Sequence, residues 1–279
     1  PFNHPDAMRR FRILEDIEAL ERALDYPWDK WTLFLHPSQQ ELVEREFKGP
    51  ARVTGSAGTG KTIVALHRAM HLVSQNDDKR VLLVTYSSLL ANVLRERCKR
   101  LISEKRQLSL GERLEVYSVR EIAARLYKAN LGHFQLVTED QLNQLLAEAA
   151  LAEETEYSPR FLMDEWSYLI DAQQLTSWET YRDAKRSGRK SRLSESKRQH
   201  LWSIFHRVWQ SFEQQGLITE ATMYSRLAEK LLQQNRVIFD HVLIDEAQDL
   251  TIPQLKLIAA LGQNRPDSLF FAGDLGQRI

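Results

Sequence analysis

A glycine-rich segment, VTGSAGTGKT at residues 53–62, has the residue types and the spacing of a phosphate-binding loop. Glycine reaches backbone angles that other residues avoid, so successive N–H groups of such a loop can converge on phosphate oxygens. A lysine in this position reaches the terminal phosphates of a nucleotide, and the threonine after it offers a hydroxyl to magnesium. The predicted nucleotide-binding residues are Gly55, Ser56, Ala57, Gly58, Thr59, Gly60, Lys61 and Thr62, of which Thr62 is also a predicted metal ligand.

The residues around this loop favour a strand before it and a helix after it. The segment ARVT at residues 51–54 is short and partly apolar, and apolar residues after the loop recur with helical spacing. A helix that begins at the loop adds the positive end of its dipole to the phosphate site. A glycine turn without a ligand is the alternative, and it leaves the strand and helix pattern around the loop unexplained.

A second segment, VLIDEAQDL at residues 242–250, places two carboxylates directly after an apolar run. If that run is a strand ending beside the glycine loop, Asp245 can hold magnesium, usually through water. Glu246 can then polarise the water that attacks the terminal phosphate. An acidic pair on a surface loop is the alternative, which the phosphate loop in the same chain makes weaker.

Two glutamines could complete such a site. Gln277, in the segment AGDLGQR, follows another apolar run and could couple loss of the terminal phosphate to movement elsewhere. Gln39, in HPSQQELV, has a side-chain amide that can donate to and accept from one edge of adenine, which would favour ATP over GTP. A glutamine at a helix start capped by Ser38 is the alternative interpretation.

These residues require a sheet whose strands end at one edge. Continuous apolar runs at residues 81–85, 114–118, 241–245 and 268–273 predict buried parallel strands, with helical patterns between them. Alternating strands and helices predict a doubly wound α/β core that binds ligands at the carboxyl ends of its strands.

One long interval interrupts this alternation. No good strand is predicted between residues 118 and 241, where the sequence indicates several helices that pack as an inserted subdomain. Trp202 and Trp209 lie in one of these helices and could be platforms for base stacking. We interpret them as packing residues, since aromatic side chains at helical spacing usually face a core.

Composition narrows the class of protein. The 279 residues include 38 Lys plus Arg and 38 Asp plus Glu, so the formal net charge is zero and a nucleic-acid partner would need a local basic patch. Cys98 is the only cysteine, which excludes an internal disulfide and a cysteine zinc cluster. We expect a cytoplasmic protein with no membrane partner, because no apolar run is long enough to span a bilayer.

Because the chain ends just after a predicted strand and glycine turn, we expect a fragment of a longer protein.

In their order along the chain, these segments resemble the UvrD/Rep group of superfamily 1 helicases from about residue 35 to residue 279. LHPSQQELV resembles the family's Q motif, GSAGTGKT motif I, VTYSSLLANVLRER motif Ia, DEAQDL motif II and AGDLGQRI motif III. The resemblance implies the first RecA-like motor domain of a P-loop NTPase that uses ATP and Mg²⁺, with an inserted all-helical subdomain.

The resemblance also implies a role for individual residues. By this likeness Gln39 recognises adenine, Asp245 binds the metal, and Lys61, Glu246 and Gln277 are catalytic, with Gln277 linking the terminal phosphate to the bound strand. The motif Ia positions that contact single-stranded DNA in the family are Thr85, Tyr86 and Ser87.

The domain organisation follows from the same likeness. Residues 35–130 and 236–279 would form the motor domain, residues 131–235 the helical insertion, and residues 1–34 a helical lead-in. Because the family's insertion lies beside DNA, the basic segment at residues 181–198 becomes a candidate for backbone contacts. A solvated loop is the alternative. The candidate contacts are Arg186, Arg189 and Lys190.

The expected partners are single-stranded DNA, or a junction of single and double strands, and a second RecA-like domain that completes the ATP site. We therefore expect a helicase or translocase in the whole protein and little hydrolysis by this chain alone. A regulatory NTPase that does not unwind DNA is the alternative, and a binding module with a purely structural phosphate loop is a third possibility.

Overall fold

The computed structural model describes residue 35 and residues 37–104, 110–186 and 193–274. The strands are β1 (Ala51–Thr54), β2 (Val81–Thr85), β3 (Leu114–Ser118), β4 (Gln135–Leu136), β5 (Leu217–Ile218), β6 (His241–Ile244) and β7 (Leu269–Gly273). The α-helices are α1 (Pro37–Glu44), α2 (Lys61–Gln75), α3 (Ser88–Glu104), α4 (Leu110–Arg113), α5 (Val119–Leu131), α6 (Glu139–Ala152), α7 (Pro159–Glu165), α8 (Trp178–Asp183), α9 (Glu195–Gln215), α10 (Glu220–Gln234) and α11 (Ile252–Gly262). A π-helix covers Trp166–Asp171, and a 3₁₀ turn covers Ala247–Asp249.

Five strands form a parallel sheet in the order β1-β7-β6-β2-β3. Every residue of β2 and β6 is buried, because helices cover both faces of such a sheet, and this explains their uninterrupted apolar sequences. The predicted α/β fold with a parallel sheet is confirmed. Since all five strands run the same way, the loops after β1, β2, β6 and β7 leave from one edge.

By its contacts the chain divides into two compact units. The sheet unit comprises the described residues up to Val119, together with Val237–Asp249 and those from Gly262 onward, and the helical unit comprises Arg120–Arg236 and Leu250–Leu261. The first boundary lies earlier than the predicted one at residues 130 and 131. The segment Leu250–Leu261, which we had predicted to belong with the motor domain, groups with the helical unit.

A buried arginine fixes α1 inside the sheet unit. Arg68, on α2, is only 1% exposed and donates to the carbonyl oxygens of Leu42, Val43 and Arg45 at the end of α1. The carboxylate of Asp267 pairs with the same guanidinium. Because these bonds use the otherwise unsatisfied carbonyls of a helix end, they hold α1 beside the start of α2.

The helical unit has a separate core rich in aromatic residues. Trp166, Tyr181, Phe205 and Phe212 are among its buried members, and Trp202 and Trp209 pack against them, as predicted. One expectation for this region was wrong: β4 and β5 pair as short parallel strands where we predicted none. In the described part of the chain, no helix has the length and apolar character needed to cross a membrane.

Candidate nucleotide-binding site

The loop between β1 and α2 carries the glycines at the conformations that a phosphate-binding loop needs. Gly58 and Gly60 have φ angles of 77° and 82°, a region that strongly favours glycine. Gly55 has a different reason, because a Cβ there would lie 2.5 Å from the Thr59 hydroxyl oxygen. The helix α2 begins at Lys61 with no side-chain cap, so its first backbone N–H groups are directed toward the loop.

Lys61 folds its side chain over this loop. Its ammonium nitrogen Nζ donates to the carbonyl oxygens of Gly55 and Ser56, at 2.9 Å each. Backbone carbonyls carry only partial charge, so these bonds hold the ammonium in place without neutralising it. An ammonium group held across a glycine loop is suited to bind an anion that enters the loop.

Gln39 reaches the loop from α1. Its amide nitrogen Nε2 donates to the carbonyl oxygen of Thr59 at 2.8 Å. A Cβ on Gly60 would lie 3.0 Å from the same nitrogen, so a larger residue at position 60 would displace Gln39. The structure thus brings the predicted adenine-recognising glutamine to the phosphate loop, from the first turn of α1.

The metal-ligand candidates of two distant segments meet at the sheet edge. The hydroxyl of Thr62 donates to the carboxylate oxygen Oδ1 of Asp245 at 3.1 Å, although 183 residues separate them. The sheet order explains the meeting, since only β7 lies between β1 and β6. Asp245 follows β6 directly, and its backbone N–H is bonded to Val84 of β2.

Burial changes the chemistry of Asp245. The residue is 5% exposed, and desolvation raises the pKa of its carboxyl group to about 6 from an ordinary value of 3.8. The hydrogen bond from Thr62 and the charge of Lys61 oppose this rise, whereas the charge of Glu246 adds to it. A buried carboxylate with this raised pKa gains most when a cation binds beside it.

Glu246 stands next to Asp245 in an unusual backbone conformation. Its φ angle is 54°, in the left-handed region that few residues other than glycine adopt. The amide nitrogen of Gln248 donates to Glu246 Oε2 at 2.6 Å, and the amide oxygen of Gln248 accepts from the backbone N–H of Asp274 at 3.0 Å. Sequence reasoning gave no role to Gln248, although an amide placed just after two carboxylates was a signal for one.

These residues fit magnesium and a nucleotide. Mg²⁺ keeps several waters and is usually held by one or two carboxylates together with substrate phosphates, not by a cage of protein ligands. The hydroxyl of Thr62 and the carboxylate of Asp245 offer that limited set of oxygen ligands. The described residues contain no cluster of three or more His, Cys, Asp or Glu that could hold a metal ion.

Comparison with known proteins identifies the family. The model of the UvrD/REP helicase N-terminal domain matches residues 35–279. The chain belongs to the UvrD/REP helicase family. It is 26% identical over 270 residues to the ATP-dependent DNA helicases UvrD1 of Mycobacterium tuberculosis and Mycobacterium bovis. The alignment covers 91% of this chain but only 34% of those relatives, so the chain spans about a third of their length.

The predicted strand-contacting residues of this family member fall into different environments. Thr85, the last residue of β2, is 0% exposed, so the predicted direct contact with DNA does not hold in this structure. The side chain of Tyr86 is 51% exposed at the same sheet edge, where it could stack on a base. The hydroxyl of Ser87 accepts from the backbone N–H of Leu90, which makes Ser87 a cap for α3.

The basic segment of the helical unit requires a further correction. We predicted that Arg186 contacts a nucleic-acid backbone, but its side chain is 5% exposed and pairs with the fully buried Glu165 at 2.8 Å. The guanidinium makes a second bond to the same carboxylate, at 2.9 Å, so this arginine neutralises a buried charge instead of facing solvent. Arg189, Lys190 and Gln277 lie outside the described residues.

Proposed function

We propose that the sheet unit binds Mg·ATP at the carboxyl edge of its five-stranded sheet, and that the whole protein uses this site to move along a DNA strand. The contact between Thr62 and Asp245 carries the proposal, because it joins the phosphate loop to the first of the two carboxylates. Family membership supports the same conclusion, since the matching relatives are named ATP-dependent DNA helicases.

In this proposal each residue of the site has a separate task. The backbone N–H groups between Gly55 and Gly60 and the ammonium of Lys61 bind the phosphates, and Gln39 recognises adenine. Thr62 and Asp245 hold the magnesium ion, which when bound offsets phosphate charge. We keep Gln277 as the residue that senses the terminal phosphate.

Glu246 is the base of the proposed hydrolysis. Its carboxylate accepts a proton from the attacking water while the water oxygen forms a bond to the terminal phosphorus. The bond from that phosphorus to the bridging oxygen breaks, and its electron pair leaves with ADP. A left-handed backbone at this position is a local strain that the surrounding loop must hold, as is common at functional sites.

We further propose that single-stranded DNA, or a junction of single and double strands, crosses this edge. Stacking on an exposed aromatic side chain grips bases without selecting a sequence, and Tyr86 is suited to it. Arg189 and Lys190 remain our candidates for contacts with the DNA backbone. We no longer propose that Arg186 or Thr85 contacts DNA.

We also propose that the sheet unit is the motor domain and that the helical unit is the insertion, and the division of contacts between Val119 and Arg120 supports this. We infer that a second RecA-like domain completes the ATP site in the whole protein. We place the protein in the cytoplasm, because its proposed substrates are DNA and ATP.

Hydrolysis of ATP by the whole protein, measured with and without single-stranded DNA, tests the proposal. We expect DNA to increase the rate of ATP hydrolysis by the wild-type protein, and we expect the Glu246→Gln variant to lose most of this hydrolysis. Asp249→Asn is the matched control, because Asp249 is exposed in the same loop. Hydrolysis that ignores DNA would favour a regulatory NTPase. Hydrolysis that survives Glu246→Gln would contradict the assignment of the base.

A further inference from the structure

The amide of Gln248 joins two backbone segments at the carboxyl edge of the sheet. It lies in the 3₁₀ turn after β6, one residue beyond Ala247, and its two ends face opposite partners. Its NH₂ group donates to the carboxylate of Glu246 at 2.6 Å, and its oxygen accepts from the backbone N–H of Asp274, just after β7, at 3.0 Å.

The chemistry of the partners fixes which way this amide points. A backbone N–H can only donate and an ionised carboxylate can only accept, so exchanging the amide oxygen and nitrogen would break both bonds. An ionised carboxylate at position 248 could satisfy only the N–H of Asp274, and an apolar side chain could satisfy neither partner. Glutamine is therefore chemically matched to this pair.

The backbone around Gln248 leaves little room for another arrangement. A Cβ on Gly273 would lie 2.6 Å from the amide oxygen of Gln248 and 3.2 Å from the backbone nitrogen of Ala247. The end of β7 thus approaches the 3₁₀ turn closely because residue 273 is glycine. A backbone bond from the N–H of Asp249 to the carbonyl of Glu246, at 3.1 Å, closes the turn from the other side.

Glu246 needs such support. A left-handed φ angle is unfavourable for a residue with a Cβ, so the backbone does not hold this conformation by its own preference. The side chain has several rotatable bonds, and the bond from Gln248 removes part of that freedom.

We propose that Gln248 is a positioning residue for ATP hydrolysis. Its amide holds the carboxylate of Glu246 in the orientation from which it accepts the proton of the attacking water, and it makes that orientation depend on where β7 ends. This inference rests on the proposed function, because it assumes that Glu246 is the base. It adds a residue that touches neither water nor nucleotide and acts only through Glu246.

Two substitutions of Gln248 separate its hydrogen bond to Glu246 from its hydrogen bond to Asp274. Gln248→Leu removes both bonds at nearly constant size. Gln248→Glu keeps an acceptor for the N–H of Asp274 but replaces the donor to Glu246 with a second negative charge. Both variants therefore lack the donor that the amide supplies to the carboxylate of Glu246.

The experiment measures kcat and KM for ATP hydrolysis by the whole protein, in the presence of single-stranded DNA. We expect kcat to fall roughly 10-fold or more in both variants, within the range that a correctly placed base contributes. KM for ATP should stay within about 2-fold, since uniform binding is unchanged.

A double variant tests whether Gln248 acts through Glu246. If it does, adding Gln248→Leu to Glu246→Gln leaves the residual rate of that variant, measured in single turnover with excess protein, unchanged, because residues that act as a unit are not additive. A merely structural role would instead lower ATP affinity and the melting temperature, and would lower kcat in the Glu246→Gln background as well.

The outcomes separate this inference from the function beneath it. If Glu246→Gln removes most of the hydrolysis but both Gln248 variants keep the wild-type kcat, the positioning role is wrong and the proposed function stands. If wild-type protein hydrolyses no ATP, or Glu246→Gln leaves hydrolysis intact, the proposed function fails and the positioning role fails with it.

Discussion

At the edge of the sheet unit, Lys61 bonds to backbone carbonyls and Glu246 is held by an amide. In the helical unit, Arg186 and Glu165 are buried against each other with side chains 5% and 0% exposed. Lys61 and Glu246 are each held by neutral groups and so keep their charges. Arg186 and Glu165 neutralise each other. The contrast shows that the number of charges in a segment does not reveal a binding site. What matters is whether the local fold supplies each charge with a partner.

Aromatic residues show the same contrast. Trp209 packs in the helical core and donates its indole N–H to the carbonyl of Leu175 at 3.1 Å. Tyr86 lies half exposed where β2 ends. A side chain with a packed ring and a satisfied polar atom serves the fold, whereas an exposed ring at a strand end is available to a ligand.

The largest effect that we predict from this comparison is the loss of the buried ion pair. Arg186→Ala leaves the carboxylate of Glu165 buried without its partner, and we expect a loss of about 3–5 kcal/mol in the free energy of unfolding. Urea unfolding followed by tryptophan fluorescence measures it, because the described tryptophans Trp166, Trp178, Trp202 and Trp209 all lie in the helical unit.

Arg182→Ala is the matched control for this change. Arg182 pairs with its neighbour Asp183 on the surface, with side chains 43% and 67% exposed, so we expect its loss to change stability far less than Arg186→Ala does. Equal, small effects of the two substitutions, with weakened DNA binding in Arg186→Ala, would restore Arg186 as a contact for the nucleic-acid backbone.

Asp245→Asn tests the buried carboxylate of the sheet unit. The pKa of this carboxyl group is about 6 in the folded protein, against an ordinary value of 3.8, so folding favours its protonated form. Above about pH 6 the charged carboxylate therefore lowers the free energy of unfolding. This cost disappears as the pH falls toward 4, where the group is protonated in the unfolded chain as well. In the absence of Mg²⁺ we expect the variant to be more stable than wild type by about 1–2 kcal/mol at pH 8, after allowance for partial solvation.

The gain should shrink as the pH falls from about 6 to about 4, which thermal unfolding over a pH series can measure. The same variant should lose the Mg²⁺ dependence of ATP binding, and wild-type binding should weaken below about pH 6 as the carboxylate is protonated. Asp171, whose pKa burial also raises to about 6, contributes to both proteins equally and cancels in the comparison. If Asp245→Asn is no more stable than wild type at pH 8, the claim that the charged Asp245 destabilises the folded protein is wrong.

The smallest predicted effect concerns Trp209. Trp209→Phe keeps the packed ring but leaves the carbonyl of Leu175 without its donor, so we expect a loss of about 1 kcal/mol in stability. Affinity for single-stranded DNA, measured by fluorescence anisotropy, should not change.

Tyr86→Ala should do the reverse, lowering DNA affinity by about 1–3 kcal/mol while leaving stability unchanged. Weaker DNA binding by Trp209→Phe would move base stacking to the helical unit.

The sequence predicted well those features that depend on a few neighbouring residues. A glycine loop needs particular backbone angles, and a buried parallel strand needs an apolar run, so residues 53–62 and the strands of the sheet could be recognised locally. Asp245 was recognised because it follows such a strand. Its contact with Thr62 follows from the sheet order, which local patterns do not determine.

The features that sequence reasoning missed depend on partners far along the chain. The carboxylate that neutralises Arg186 lies 21 residues away at the end of α7, so a basic run alone could not show that this arginine is buried. The backbone N–H that orients Gln248 lies 26 residues away after another strand. Thr85 ends a strand at the correct edge, but its burial depends on the elements packed around that strand end.

Binding of Mg·ATP to this chain and to Lys61→Ala, measured by isothermal titration calorimetry, tests the central claim most directly. Charge-assisted hydrogen bonds are each worth roughly 1.5–3 kcal/mol, so we predict that Lys61→Ala lowers ATP affinity on the order of 100-fold without unfolding the protein. Lys48→Ala, which removes an exposed lysine from the same unit, should bind ATP as wild type does. Unchanged ATP affinity in a folded Lys61→Ala variant would contradict the assignment of the glycine loop as the nucleotide site.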